Sequence, residues 1–407
     1  ESREQTNEPD ARPDGPAPRL TQSWTMPFVV DLCPGEDHTI APPPGYEQMR
    51  DAQPFTLTMT YGSRDLTYKV FDPVTDLPGS FWTYRRIVAA TQFASGEVEG
   101  DLAMINWAGN DFHGGDLIAA SPAERQELIR KAKDLSLGLL YWLQTEVPRD
   151  DGSGLGYPEL RLRTDVLGTA DGLSMMPYVR ESRRILARTT IRQQDVAASH
   201  QSGARALDFR DSVGLGWYPI DIHGLPGDVA ATGPTRPFQI PLGALIPRRG
   251  PTNLLAACKN IGTTHMTNGC YRLHPVEWSI GEAAGALAAF CVGENCSAAA
   301  VCDESHRLRR FQSRLIAAGV PLYWYTDVPL GHAVFAPTQE LAVSGIWQGS
   351  DDDLLFQPEA TVGDAERKQL QSLAPDVLPA GELTRAMAAT AIAGARACNS
   401  VARAPDL

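Results

Sequence analysis

The run NLLAACKNIGTTHMTNGCYRLHPVEWSIGEAAGALAAFCVG, residues 253–293, decides how the chain is read. Its opening, Asn253 to Gly262, is a short apolar block closed by Asn260 and Gly262, the pattern of a buried strand that ends in a tight turn. From Arg272 onward the pattern predicts a helix. Pro275 suits the first helical positions, where its missing N–H costs nothing, and Gly293 suits the exit. Small residues at Gly281, Ala283, Ala284, Gly285, Ala288 and Ala289 allow another backbone or a flat ligand to approach one side closely. A helix packed on a sheet for purely structural reasons would carry the same residues.

Composition sets the outer limits. The chain has 407 residues, 43% hydrophobic and 21% charged, enough for two or three domains with real cores at roughly 150 residues per domain. The longest apolar run, 283–292, falls well short of the ~20 residues that span a bilayer. A net charge of −13 repels nucleic-acid phosphates and gives no electrostatic reason to approach anionic lipid. The chain opens on Glu1 and a polar, Pro-rich stretch without a targeting signal, which reads as a processed or excised piece. The seven cysteines, Cys33, Cys258, Cys270, Cys291, Cys296, Cys302 and Cys398, contain no C-x-x-C pair. They read as mostly buried thiols with room for one disulfide among Cys296, Cys302 and Cys398, and no metal site is expected.

Texture changes along the chain mark its organisation. Residues 1–20 read as a linker, and 21–120 carry β-rich, aromatic segments such as TQSWTMPFVVDL, FTLTMTYGS and FWTYRRIVAA broken by Pro/Gly clusters, which predicts antiparallel strands and long loops. SPAERQELIRKAKDLSLGLLYWLQ (121–144) predicts a helix, with Ser121 as N-cap and Glu124 three residues later. Residues 151–250 read as loops on a scaffold, and the last hundred residues as a separate, mostly helical unit beginning near Cys302–Glu304. Polar residues set among aromatics and glycines, Asn106, Asn110, Asp111 and His113 in INWAGNDFHG and Asp221 and His223 in YPIDIHG, fit a functional loop. The pairs Asp111/His113 and Asp221/His223 could share a face only on strands, which speaks against a metal site there.

Beyond these local readings, the blocks YRRI, INWAGNDFHG, LSLGLLYWLQ, GYPELRLR, GTADGL, PYVRESRRI, SVGLGWYPIDIHG, RPFQIPLGALIP, NLLAACKNIGTTHMTNGCYRLHPVEW and SIGEAAGALAA occur in this order over some 300 residues. Together they resemble the later two-thirds of the FAD-dependent oxidoreductase family, whose nucleotide domain is similar to that of fumarate-reductase-type and glutathione-reductase-like flavoproteins. The resemblance implies a discontinuous FAD domain, with 253–262 as its return strand and 272–289 as the flavin-side helix. The half-positive N-terminus of that helix would stabilise the anionic reduced ring, charged near N1 and O2. No G-x-G-x-x-G turn opens the chain, and GSGLG at 152–156 lacks the strand–turn–helix context, so an upstream Rossmann half of the same protein is expected to hold the pyrophosphate.

The family's chemistry is hydride transfer to or from flavin N5 with a small-molecule substrate. Arg272, His265 and Arg180 are the catalytic candidates that the resemblance implies: an arginine for a substrate carboxylate or the flavin O2, a histidine for proton movement. Asn260, Gly262, His274, Pro275, Val276 and Glu277 are the corresponding FAD-binding candidates. In PYVRESRRI the arginines Arg180, Arg183 and Arg184 with Glu181 also read as a salt-bridged surface, with Arg180 able to point into a cleft.

A second resemblance covers residues 322–370, which look like one S-layer homology repeat at Asp327-Val328, Leu341-Ala342, Gly345-Ile346, Gly349 and Phe356-x-Pro358. The usual Thr-Arg-Ala-Glu helix start is replaced by Val362-Gly363-Asp364-Ala365-Glu366, although Leu383-Thr384-Arg385-Ala386 is similar to it. The resemblance favours a bacterial cell-envelope or secreted location, without fixing it, and allows a homo-oligomer. The expected architecture is α/β, or α+β overall: a flavoprotein fold with a β-rich substrate domain (21–240), the return part of the FAD domain (241–302) and a small helical module (303–407). The rival is a non-catalytic envelope-binding protein built on a degenerate flavoprotein fold.

Overall fold

The computed structural model describes residues 1–17, 19–61, 64–223 and 232–401. The chain divides into two compact units, one of Ala17–Arg180 with His223–Ala230, the other of Glu1–Pro16, Glu181–Ile222 and Ala231–Leu407. Helix and sheet are mixed in an α+β manner, and every named strand pair among the described residues is antiparallel.

In the first of these units, strands β1 (Trp24–Thr25), β2 (Phe28–Leu32), β3 (Arg86–Val88), β4 (Leu102–Ile105), β5 (Asp111–Phe112), β6 (Leu160–Leu162) and β7 (Tyr178–Val179) build two small sheets, β3-β4-β2-β6 and β5-β1-β7. Register places Val30 opposite Ala103 and Leu162, so β2 is buried on both sides. Helix α1 (Pro122–Thr145) begins as its sequence predicts: Ser121 Oγ accepts from Glu124 N, and the Glu124 side chain reaches back to Ser121 N at 2.8 Å. Ala132, Leu135, Leu139, Leu140 and Leu143 are its buried stripe. FWTYRRIVAA is not all strand. Ser80 caps a short helical turn, Phe81–Arg85, by accepting from Thr83 N at 3.1 Å, and only Arg86–Val88 extends.

The second unit is built around β8 (Ser212–Gly216) paired with β9 (Phe238–Pro241), and around α2 (His265–Tyr271) and α3 (His274–Gly293). Helix α3 has the expected bounds, with Pro275 in its first turn. It lies close on β8: a side chain added at Gly214 would collide with Ser279 Oγ, and one at Gly216 would come within 2.9 Å of Val276 Cγ2. Val276, Ile280, Ala283, Ala284, Leu287 and Phe290 are buried, while Gly285, Ala288 and Ala289 on the opposite side are exposed.

Residues 253–262 form no ladder. Leu254 is exposed, Ala256 N donates to Leu245 O at 2.9 Å, and no strand lies beside them among the described residues. Instead of a simple tight turn, Thr264 caps the seven-residue helix α2 through a reciprocal pair with Thr267.

Helices α4 (Ser305–Ala317), α5 (Phe335–Val343), α6 (Asp364–Leu373) and α7 (Arg385–Val401) follow. They share one apolar core with β8, β9 and α3 that runs from Ile240 and Phe290 to Phe311, Leu322, Tyr323, Leu341 and Phe356. The buried Gln339 amide ties this segment internally, accepting from Leu322 N and Tyr323 N at 2.7 Å each and donating to Tyr323 O. Cys296 and Cys302 carry free thiols, the side chain of Cys398 lies outside the described residues, and of the six thiols that are described only Cys270 is fully buried. No described helix is long and apolar enough to cross a membrane.

Candidate functional site

The elbow between α2 and α3 gathers most of the residues singled out in the sequence. His265, in the first turn of α2, has Nδ1 2.7 Å from Glu181 Oε2. Arg184 Nη1 donates to Glu181 Oε1 at 2.6 Å and its Nε to Thr263 O at 3.0 Å, while Glu1 Oε2 accepts from His265 N at 2.7 Å. Burial pushes the Glu181 carboxyl up, but the His265 bond and charge, with Arg184, outweigh it and hold the group at about 2. An ionised carboxylate only accepts, so Nδ1 of His265 is the donor and the tautomer is fixed.

At the far end of α2, Arg272 is buried and donates from Nη2 to Asp221 O at 2.7 Å and Oδ2 at 3.0 Å. Its Nε is buried without a hydrogen-bond partner among the described residues. His265 and Arg272 therefore sit at opposite ends of a seven-residue helix, about 10 Å apart by its rise. His274 and Pro275 are exposed at the start of α3, Val276 is buried, and Glu277 is half-buried with Lys259 Nζ 3.8 Å from its Oε1. Asn260 is exposed and accepts at its carbonyl from Ile185 N. Gly262 is buried, and a side chain there would strike Thr189 O and Ala187. Close backbone packing requires glycine at this position.

Arg180 belongs to a different cluster, in the unit of residues 17–180. Its Nη2 lies 2.7 Å from Asp111 Oδ1, and both side chains are almost fully buried. Nη1 donates to Ser23 O at 2.9 Å and to Thr25 Oγ1 at 3.2 Å, and Nη2 also to Asn106 Oδ1 at 3.3 Å. Asp111 Oδ2 lies 2.6 Å from His223 Nδ1. Burial pushes the Asp111 carboxyl up, but the Arg180 charge and the His223 bond overcome it and leave it well below the usual carboxylate range. His223 Nδ1 is therefore the donor, and the ring, 28% exposed, is oriented by a carboxylate as in an Asp–His catalytic pair. Sequence spacing sets Asp111 beside His113 and Asp221 beside His223. In the structure Asp111 pairs with His223 across 112 positions and Asp221 with Arg272, and no local spacing signals either pair.

A cavity of about 540 Å³ opens in the unit that holds α3, between its first turns, β8 and the segment 321–339. Its wall is apolar and aromatic, with Trp217, Val276, Tyr323, Trp324 and Phe335. Of the candidates from the sequence only Pro275 and Val276 reach it.

The residues present fit the flavin end of FAD. A flavin gains negative charge on its pyrimidine edge when reduced, and the elbow offers the donor end of α3, the Lys259 ammonium and the unpartnered Arg272 Nε. The pyrophosphate end finds no such cradle among the described residues. GSGLG lies between α1 and β6, and a side chain at Gly156 would collide with Gln144 O, so that glycine serves backbone packing.

No curated protein matches the chain, and no solved structure does. The profile of one family, described as FAD dependent oxidoreductase, matches residues 21–315. That match covers most of the chain, through both units and both clusters, and by it the chain belongs to the FAD dependent oxidoreductase family.

Proposed function

We propose that the protein moves a hydride between a small organic substrate and N5 of FAD, with the ring held at the α2–α3 elbow. The observation that carries this reading is Arg272: a buried guanidinium with one unpartnered N–H, next to the open N-terminus of α3. Bound FAD supplies the hydride-exchanging ring. The protein's own groups do the rest. Arg272 Nε donates to the polar edge of the ring, and His274, Pro275, Val276 and Glu277 present the donor end of α3 to it. Asn260 and Gly262 shape the turn that carries α2. His265, fixed by Glu181, exchanges a proton at Nε2. Arg180 holds the Asp111 carboxylate that orients His223 within its own unit. The test is the absorbance of oxidised flavin in the purified full-length protein, followed by flavin reduction in Arg272→Lys. Stoichiometric flavin, with slower reduction in the variant at unchanged occupancy, supports the reading. A protein that takes up no FAD overturns it.

A further inference from the structure

Far from these clusters in sequence, the chain leaves β2 through Cys33-Pro34-Gly35-Glu36. Pro34 fixes its own φ, Gly35 adopts φ +81°, and Glu36 N donates to Cys33 O at 3.1 Å, a turn that folds the Glu36 side chain back towards Cys33. Both ends of the loop are pinned to one neighbouring stretch: Cys33 N donates to Glu159 O at 2.9 Å and His38 N to Pro158 O at 2.8 Å. The buried Gln144 amide adds a third anchor, donating to His38 O at 2.7 Å. The result is a thiol, a carboxylate and an imidazole whose ligand atoms all lie within 4.8 Å of one another, with His38 Nε2 2.8 Å from Glu36 Oε2.

We propose that Cys33, Glu36 and His38 bind one divalent cation of the zinc class. Tetrahedral bonds to sulfur, nitrogen and oxygen place the ligand atoms about 3.5 Å from one another. Cys33 and His38 are held by the backbone, and Glu36, with a side chain 63% exposed, closes the remaining gap by changing rotamer. One soft thiolate beside an imidazole selects zinc or cobalt over magnesium or calcium, which take oxygen ligands. Three protein ligands leave a fourth position for water on the solvent side. Asp31, whose Oδ1 is 3.8 Å from Cys33 Sγ, is not the fourth ligand, because Arg161 and Arg163 occupy both its oxygens. The sequence hides the set because C-x-x-E-x-H lies on a loop and matches neither a C-x-x-C pair nor a helical spacing.

The experiment is an anaerobic titration of the chelator-treated full chain with Co(II). The expected result is one equivalent bound, a thiolate-to-cobalt charge-transfer band with tetrahedral d–d bands, and displacement of both by Zn(II). Cys33→Ser should lose the charge-transfer band, and His38→Gln, which leaves the thiol in place, should weaken binding at least ~10-fold. The proposal is overturned if the wild-type protein shows no charge-transfer band, or if the band persists at full strength in Cys33→Ser, which would place the metal on another cysteine.

Discussion

His265 Nδ1 meets Glu181 Oε2 at 2.7 Å, joining residues 84 positions apart in one buried contact. With the Glu181 carboxyl at about 2 in the fold and near 4.3 when unfolded, its ionised form stabilises the fold at all pH above the unfolded value. That contribution is lost as pH falls from about 4.3 towards 2. Glu181→Gln should therefore lower stability at pH 7 by on the order of 3 kcal/mol or less. At pH 3 about half of that gap should remain, and below pH 2 the variant and the parent should converge. Urea unfolding at pH 7 and pH 3 checks this, and a gap of equal size at both pH values would mean that charge is not what Glu181 contributes.

The Asp111 carboxylate serves two partners, and substitutions separate them. Asp111→Asn leaves the Arg180 guanidinium buried without a counter-charge, which should cost about 3 kcal/mol or more and lower the melting temperature. His223→Gln touches the exposed partner instead, so the fold should stand. The melting temperature of His223→Gln should therefore stay close to that of the parent. A fall as large as that of Asp111→Asn would mean that the imidazole also holds the buried cluster together.

At the start of α3, the choice of probe follows from burial. Val276 is packed against β8, so an acid there would report a folding defect. Pro275 is exposed in the first turn, where an acid is tolerated by the helix dipole. If the ring lies against this end, Pro275→Glu should disfavour the anionic reduced form and lower the two-electron potential by on the order of 20 mV. Dye-coupled redox titration measures it, and an unchanged potential at full FAD occupancy would place the ring elsewhere.

What the sequence made legible, and what it did not, follows from the range of the signals. Helix α1 was readable from Ser121 and Glu124, and α3 from Pro275 and Gly293, because caps act within one turn of the residues they stop. Helix α2 was not, since HMTNGCY has no amphipathic period and is set by the Thr264–Thr267 pair and complete burial. The apolar run at 253–262 looked like a strand because hydrophobicity reports burial and says nothing of a ladder partner. The pairings of Asp111 with His223 and of Arg272 with Asp221 are made by tertiary structure, so spacing could name the residues and not their partners.

The last prediction concerns residues 303–407, which in sequence resemble a wall-binding repeat and in the structure complete a core. Leu322, Tyr323, Phe311, Leu341 and Phe356 are buried in the cluster that also holds Ile240, Leu287 and Phe290. Gln312 Nε2 donates to Arg210 O at 3.0 Å and Ser212 O at 2.9 Å, and Ser212 Oγ donates to Leu322 O at 2.8 Å. Removing the segment would expose several fully buried aromatic and aliphatic side chains, each contributing about 1.5–3 kcal/mol by burial, and would leave the buried Ser212 carbonyl at the start of β8 without its Gln312 donor. Such a loss is comparable to the 5–15 kcal/mol that holds a typical domain. A chain ending at residue 302 should therefore lose the cooperative unfolding of the unit that contains α3, seen as rapid proteolysis of residues 181–302. If the truncated chain instead melts as the parent does and loses only its sedimentation with purified cell walls, the segment is an attachment module and not part of the core.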